Sequence, residues 1–221
     1  SEPWTNYYKK VLHDSRIKTA NLLFDKAKEF GVNLKLFVSA SGVSIYGNSD
    51  SDKRLREDDD FGTDFLSRLT VDWEAAADQF SELNVRVVKL RTPVVLGKKG
   101  GAFEKMKIPF KFGLGTNIGK GTNYLPWIHL EDLLNIYVNA LENETYQGAI
   151  NAVADEQVTQ NEMNMLIAKA LNKPYFLPNV PSLIVKKVLG ERSDLILNSV
   201  MLSNMKLKTL GYQFQYPRLK D

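Results

Sequence analysis

The stretch "LKLFVSASGVSIYG", residues 34–47, decides the fold class of this chain. Its first half is a run of large apolar residues without polar alternation, which is typical of a strand that is buried on both faces of a parallel sheet. The run then passes into serines and a Tyr-Gly pair, Tyr46 and Gly47. Ligands bind beyond the carboxyl ends of strands in open α/β sheets, so this stretch predicts the rim of a ligand site.

Strands and helices alternate on both sides of this stretch. Further strands are predicted at 85–91, 125–130 and 148–154, and "TPVVLGKKGG" at 92–101 is expected to be a loop. Apolar residues at three- and four-residue steps predict helices at 6–30, 64–83, 103–110, 131–141, 159–171, 182–189 and 194–201. Strand–helix–strand repeats of this length predict right-handed crossovers and a parallel sheet, an α/β fold.

Composition narrows the class of protein. Hydrophobic residues make up 43% of the 221 residues and charged residues 25%, as in ordinary soluble globular proteins. The net charge is +3, with 29 basic residues scattered among 26 acidic ones, so we expect no nucleic-acid partner. No apolar run approaches the roughly 20 residues of a membrane span, so no membrane partner is expected. Cysteine is absent, which excludes disulfides and cysteine-ligated zinc; we expect no metal site and a reducing, cytoplasmic location.

Nine blocks, in order, together span nearly all of the chain. They are "DSRIKTANLL", "FVSASGVSIYG", "DWEAAA", "VRVVKLRTPVVLG", "GGAFEKM", "PFKFGLG", "WIHLEDL", "GAINAVA" and "LGYQFQYP". In this order they resemble the extended and atypical short-chain dehydrogenase/reductases, and within them the sugar-nucleotide epimerase-like family of the NAD-dependent epimerase/dehydratase superfamily. The resemblance implies a Rossmann-type NAD(P)-binding domain, residues 1–96 and 125–154, and a small C-terminal substrate lobe, residues 97–124 and 155–221. It also implies NADP or NAD as the cofactor and a small polar substrate of the sugar-nucleotide kind.

The same resemblance implies the residues beside the nicotinamide. The loop after the strand resembles the pattern "SSxxVYG", in which a serine or threonine hydrogen-bonds the reacting oxygen of the substrate. The loop here is one residue longer, so Ser41 is the first choice for that role and Ser39 the second. "RTPVVLG" resembles "RPxxVYG", whose backbone packs along the nicotinamide. The implied cofactor contacts are Ser39, Ala40, Ser41, Thr92, Pro93 and Val94. Without the other blocks, a sharp turn at the end of the strand would explain the small residues Ser39, Ala40 and Ser41 equally well.

Other implied site residues lie further along the chain. "WIHLEDL" resembles "FVHVDDL", so Trp127 and His129 are expected to line the substrate cleft and Asp132 to cap a helix. Lys105 of "GGAFEKM" is a further candidate for a substrate contact. An exposed lysine on a helix explains this residue equally well. Tyr46 is the second catalytic candidate, although its counterpart in related enzymes is usually a packing or substrate-side residue.

The proton-transfer pair of working short-chain reductases is missing. Those enzymes carry Tyr-x-x-x-Lys on the helix after the serine loop, where the ammonium lowers the pKa of the tyrosine. Lining up Glu74 with the glutamate common in that helix puts Leu66 at the tyrosine position and Thr70 at the lysine position. The one Tyr-x-x-x-Lys match, Tyr216 to Lys220, is interrupted by a proline and is expected by chance.

The glycine loop that holds a dinucleotide pyrophosphate is also missing. "GLGTNIGKG", residues 113–121, has the glycines but not the spacing or the preceding strand, and we expect it to be a loop of the lobe over the substrate. About 70 residues, at about 30 per strand–helix unit, are then expected upstream. We therefore predict that the chain is a fragment and that an upstream segment of the same protein is its partner.

Two functional hypotheses remain. The first is an NAD(P)-binding epimerase or reductase whose substrate is polarised by Ser41. The second is a regulatory or scaffold protein that binds NAD(P) and has lost the chemistry, which the missing Tyr-Lys pair favours. A third and weaker one is an interaction module that binds no cofactor.

Overall fold

The computed structural model describes residues 4–49, 52–98 and 100–221. In chain order its elements are α1 (Asn6–Glu29), β1 (Leu36–Gly42), β2 (Arg54–Leu55), α2 (Phe65–Asp78), β3 (Arg86–Thr92), β4 (Val94–Leu96), α3 (Gly101–Lys111), β5 (Trp127–His129), α4 (Leu130–Glu142), β6 (Gly148–Asn151), α5 (Gln160–Ala170), α6 (Ser182–Leu189), α7 (Asp194–Leu197), β7 (Met201–Leu202) and α8 (Met205–Thr209). Short 3-10 helices follow β1 (Val43–Tyr46), α2 (Gln79–Leu83) and α6 (Gly190–Ser193).

A parallel sheet of three strands organises the described chain. Its order is β1-β3-β6, with Val38 opposite Val88 and Leu90 opposite Ile150. All three strands therefore end at the same edge. The parallel α/β architecture predicted from the buried runs is confirmed.

Helices cover both faces of this sheet. On one face Phe24 of α1 and Phe80 pack against Val87 of β3. On the other, Val88 of β3 packs in a cluster with Ile136 of α4. Because consecutive residues of β3 are buried on opposite faces, the strand shows no polar alternation in its sequence.

Helix boundaries follow local chemistry. The Thr5 side chain accepts a hydrogen bond from the Tyr8 backbone N–H (3.1 Å) and begins α1, and Gly31, at φ 57°, follows its end. A reciprocal capping box of Thr159 and Glu162 begins α5. None of the helices within the described ranges is both long and apolar enough to cross a membrane.

Short strands depart from the sequence-based expectations. The segment expected to be a loop at 92–101 contains β4, which pairs in parallel with β5. The helix expected at 194–201 ends at Leu197, and Met201–Leu202 is instead the strand β7, paired with β2. Leu202 is buried against Leu55 across this pair. Elements of two or three residues are too short to show a periodicity, which is why both predictions were wrong.

Candidate functional site

One cavity of about 550 Å³ lies at the carboxyl ends of the parallel strands, and for this position we call it the main cavity. Three segments contribute to its walls: Gly42–Ser44 at the end of β1, Thr92–Val95 at the junction of β3 and β4, and Tyr124–Pro126 before β5. Position 47, next to this cavity, requires glycine, because the φ angle there is 65° and a Cβ would lie 3.1 Å from the Gly62 Cα. This is the position at which open α/β sheets bind ligands.

A buried ion pair lies at the strand ends. Arg91, the next-to-last residue of β3, donates from Nε to Oε1 of Glu74 (2.8 Å) and from Nη2 to Oε2 (2.9 Å). Ser41 of β1 donates to the same Glu74 Oε1 at 2.6 Å. Burial raises the pKa of the Glu74 carboxyl, but the hydrogen bonds and charge of Arg91 outweigh that effect and hold the pKa below its ordinary value. Glu74 is therefore a charged structural acceptor and not a general base.

Tyr46 extends this network to β6. Its hydroxyl donates to Oδ1 of Asn151 (2.7 Å) and accepts from Nη1 of Arg91 (2.7 Å). Burial raises the pKa of Tyr46 to about 12, against the opposing charge of Arg91. The side-chain amide of Asn151 donates to the Ser203 carbonyl oxygen (3.2 Å), which ties the C-terminal region to the sheet.

The two residues expected at the tyrosine and lysine positions lie at or next to the main cavity. Leu66 of α2 lines the main cavity. Thr70, one turn further along, is buried and its hydroxyl is 2.9 Å from the hydroxyl of Ser44, which also lines the cavity. That an apolar side chain and a neutral hydroxyl stand in place of the tyrosine and lysine stays a prediction.

The structure brings part of the predicted cofactor set together. Thr92, Pro93 and Val94 all line the main cavity. Ser39 and Ser41 are buried in β1, where the Ser39 hydroxyl donates to the Ala40 carbonyl oxygen (2.9 Å), and Ala40 itself is exposed. The serine found among the described residues that line the cavity is Ser44, and not Ser39 or Ser41, the two serines expected from the sequence. The catalytic roles of Ser41 and Tyr46 stay predictions.

The three predicted substrate residues lie around other cavities. Trp127 is buried and donates from Nε1 to the Glu156 carbonyl oxygen (3.0 Å), and it lines a second cavity of about 340 Å³ together with His129. The exposed Lys105 lines a third, of about 410 Å³. Their roles as substrate contacts stay predictions.

The start of α4 differs from the expected cap. His129 accepts from the Glu131 backbone N–H (3.3 Å) and so occupies the capping position. Asp132 is fully buried and instead holds the C-terminal segment, accepting from the Tyr212 hydroxyl (2.8 Å) and the Gln215 backbone N–H (2.9 Å). The motif "HLED" therefore fastens the end of the chain to the sheet.

The glycine-rich loop lies beside a more polar cavity of about 470 Å³. Residues 118–124 line it, together with Ser182 and Lys186 from the start and middle of α6. Tyr124 lines both this polar cavity and the main one. No cluster of three potential metal ligands occurs in the part of the chain that the structure describes.

A parallel, doubly covered α/β sheet with a cavity at its strand ends is the architecture of dinucleotide-binding proteins. A profile of the NAD dependent epimerase/dehydratase family matches residues 1–152, and a domain of unknown function, DUF1731, matches residues 180–221. The chain belongs to the NAD dependent epimerase/dehydratase family.

Individual relatives agree with this assignment. The chain is 37% identical over 219 residues to the mouse "Epimerase family protein SDR39U1", with 98% of this chain and 74% of the mouse protein covered. It is 33% identical to "Epimerase family protein SAR0825" of Staphylococcus aureus, with 98% and 72% covered.

Solved structures show the same fold. The crystal structure of human epimerase family protein SDR39U1 with NADPH superposes with a TM-score of 0.89 at 34% identity, covering 99% of this chain and 74% of the human one. The nucleoside-diphosphate sugar epimerase from Corynebacterium glutamicum superposes with a TM-score of 0.80 at 27% identity, covering 99% and 43%.

Proposed function

We propose that this chain carries the reaction site of an NAD(P)(H)-dependent epimerase or reductase. The observation that carries the proposal is the position of the main cavity, at the carboxyl ends of β1 and β3 in a chain of this family. The NADPH bound to the human relative supports NADP or NAD as the cofactor here.

The residues present fit one end of a dinucleotide. A cavity of about 550 Å³ with largely apolar walls suits the nicotinamide ring, and the backbone of Thr92–Val94 forms one of these walls. A pyrophosphate needs glycines between a strand and the amino end of a helix. Gly97, Gly100 and Gly101 lie between β4 and the first turn of α3 and line the main cavity, but their spacing is G-x-x-G-G and not G-x-G-x-x-G. The glycine-rich loop at 113–121 follows α3 and lies at the polar cavity. The fit is therefore to the nicotinamide end.

The side chains around the cavity suggest how a substrate would be held. When bound, the nicotinamide would supply or accept a hydride. The Thr70 hydroxyl donates to the Leu66 carbonyl oxygen (2.8 Å), so the Ser44 hydroxyl donates to Thr70 (2.9 Å) in the absence of substrate. On turning this proton away from Thr70, Ser44 can donate a hydrogen bond to the reacting oxygen of the substrate. Apart from serine and threonine, Tyr124 is the one residue among the described residues lining the cavity whose side chain can give up a proton. It is therefore the candidate proton carrier.

The polar cavity beside Tyr124 supports a substrate with an anionic group. Lys120 and Lys186 line it together with one acidic residue, Asp52, so cations outnumber anions among its described lining residues, and it adjoins the main cavity through Tyr124. A small polar substrate of the sugar-nucleotide kind would place its reacting carbon in the main cavity and its phosphates near these lysines.

A non-catalytic, cofactor-binding protein is the second candidate. The observation that favours it is the pair Leu66 and Thr70 in place of tyrosine and lysine. General acid–base catalysis supplies about 10²- to 10⁴-fold in rate, so losing the pair removes a large part of the usual activity.

Turnover separates the two candidates. The protein would be tested for NADPH oxidation against a panel of keto-sugars, nucleotide sugars and simple aldehydes, and, with NAD⁺ or NADP⁺, for interconversion of nucleotide-sugar epimers by NMR, because an epimerase returns the hydride to its substrate. Catalysis predicts a substrate-dependent loss of NADPH absorbance or an interconversion of epimers, either of which Ser44→Ala reduces about 10²-fold without changing cofactor binding. Binding of NADPH with no turnover across the panel supports the regulatory candidate. An absence of NADPH binding at millimolar concentration contradicts both.

Ser41→Ala serves as the matched comparison. Ser41 bonds Glu74 in the buried network, so its loss is expected to lower stability more than turnover. If Ser41→Ala abolishes turnover in folded protein while Ser44→Ala does not, the first-choice serine of the sequence holds the substrate.

A further inference from the structure

The cavity of about 410 Å³ that Lys105 lines adjoins the main cavity. Residues of α3, α5 and α7 contribute to its walls, and we call it the lobe cavity. It shares four lining residues with the main cavity: Val94, Ala102, Leu125 and Leu195. A molecule bound in the main cavity can therefore extend past these residues into the lobe cavity.

The walls of the lobe cavity consist mainly of hydrocarbon. Phe110 is 3% exposed and belongs to one hydrophobic cluster together with the partly buried Met106 and Leu125. Further apolar residues on these walls are Val94, Pro109, Ile118, Leu195 and Ile196. Walls of this kind favour a ligand group that loses apolar surface to them when it leaves water.

Leu195 lies where the two cavities join. It lines both of them and is 59% exposed, although it belongs to α7 beside the apolar walls. A ligand that spans the two cavities would cover part of this side chain. Binding of an apolar group there would thus remove leucine surface from water as well as its own.

The buried amide of Gln160 on these walls already has partners within the protein. Its Oε1 accepts from the Ile118 backbone N–H (2.7 Å), and its Nε2 donates to the Ile196 carbonyl oxygen (3.4 Å). Both ends of the side chain therefore hold backbone groups of the surrounding loops.

Asn164 and Thr116 are engaged in the same way. Asn164 Nδ2 donates to the Thr116 carbonyl oxygen (3.2 Å), and the Thr116 hydroxyl donates to the Pro178 carbonyl oxygen (2.7 Å). The other polar side chain among the described lining residues is Lys105, which is exposed to solvent. A sugar ring would bury several hydroxyls beside groups that are already bonded, and each unpaired hydroxyl is costly.

We propose that the lobe cavity binds an apolar group of the substrate, an alkyl chain or an aromatic ring attached to the reacting carbonyl. The carbonyl oxygen lies at the Ser44 hydroxyl in the main cavity, and the apolar group passes Leu125 and Leu195 to contact Met106. The substrate class is then an aldehyde or ketone with a hydrocarbon substituent. This inference rests on the proposed reaction site, and it leaves the anionic arm toward the polar cavity unchanged.

Methyl NMR of the protein with ¹³C-labelled methionine tests occupancy without requiring turnover. Primary alcohols from propanol to heptanol serve as probes in the absence of cofactor, because they carry the alkyl chain and are not reduced. We expect the Met106 methyl signal to shift, with an affinity that rises about 3- to 4-fold per methylene and about 10²-fold over the series. Met205, exposed on α8, supplies the reference signal and is expected not to shift.

Two variants of α3 locate the binding. Met106→Gln keeps the length of the side chain but replaces its thioether with an amide, and it is expected to weaken heptanol binding at least 5-fold by titration calorimetry. Ile108→Gln changes an exposed residue of the same helix and is the matched control, with unchanged affinity. Equal binding by Met106→Gln and the unaltered protein would overturn the proposal.

Turnover of the matching aldehydes, propanal to heptanal, separates this inference from the proposed function. Each turnover reduces one aldehyde to its alcohol and oxidises one NADPH to NADP⁺, and kcat/KM is expected to rise along the series as the alcohol affinity does. No shift at Met106, an equal shift at Met205, or an affinity or kcat/KM independent of chain length would overturn the inference. A chain-length-dependent shift at Met106 with no NADPH oxidation by any aldehyde would support the lobe cavity and contradict the proposed reduction.

Discussion

Replacing Arg91 with methionine removes the cation at the centre of the buried network. Arg91 makes two hydrogen bonds to Glu74, one to Tyr46 and one to the Glu57 carbonyl oxygen, all between 2.7 and 2.9 Å. Methionine fills much of the same volume but leaves the Glu74 carboxylate buried, with Ser41 as its close donor and Lys89 3.7 Å away. Breaking a buried pair in this way costs about 3–5 kcal/mol.

The cost depends on pH in a defined direction. In the native protein the pKa of Glu74 is lowered, so its pairing stabilises the fold above about pH 4.3 and that contribution is lost as the pH falls through the lowered pKa. Without Arg91, burial dominates and raises the pKa of Glu74 above its ordinary value. The unfolding free energy of the variant then falls further as the pH rises from about 4.3 through that raised pKa. The difference between the two proteins therefore grows from acid to neutral pH.

Urea unfolding of both proteins across this pH range measures the difference in unfolding free energy. The double variant Glu74→Gln/Arg91→Met is the control, and it is expected to be more stable at neutral pH than Arg91→Met alone, because no buried charge remains. A loss below about 1 kcal/mol at pH 7, or a loss that does not change with pH, would refute the reasoning.

Three further changes test other parts of the structure. Tyr46→Phe removes a hydroxyl bonded to Asn151 and Arg91, and it is expected to lower the unfolding free energy by about 1.5–3 kcal/mol in urea titrations; an unchanged midpoint would contradict the network. Asp132→Ala is expected to speed amide exchange at Gln215 and Tyr216 while β6 stays protected, and equal protection would show that the carboxylate does not hold the segment. Thr159→Ala is expected to cost about 1 kcal/mol by thermal unfolding and Thr159→Ser to restore most of it, whereas equal losses would argue against the capping box.

Long regular elements could be predicted from the sequence alone. The apolar runs of β1 and β3 carry no polar alternation because helices cover both faces of the sheet, and this pattern indicates a parallel sheet. The sequence predicts α6 with its observed bounds, 182–189, because Pro181 breaks the chain immediately before it. Thr92, Pro93 and Val94, which the family resemblance places beside the cofactor, line the main cavity, and their contact with a cofactor stays a prediction.

The buried network could not be predicted in the same way. Glu74 and Arg91 are charged residues whose partners lie in other elements, and no local periodicity reports such a pairing. One available signal was an arginine at the end of an otherwise apolar strand, because a buried charge requires a partner. The sequence predicts Asp132 as a helix cap because its position at the start of α4 is local, whereas its bond to Tyr212 joins residues 80 positions apart.

The most direct test of the central claim is a saturation-transfer NMR measurement of NADPH with this protein. The account predicts transfer to the nicotinamide protons that exceeds transfer to the adenine protons. It also predicts that Ala102→Trp, which fills the main cavity, abolishes that transfer, while Ala75→Trp on the exposed side of α2 does not. Transfer to adenine alone, or nicotinamide transfer that Ala102→Trp leaves intact, would contradict binding of the nicotinamide in the main cavity.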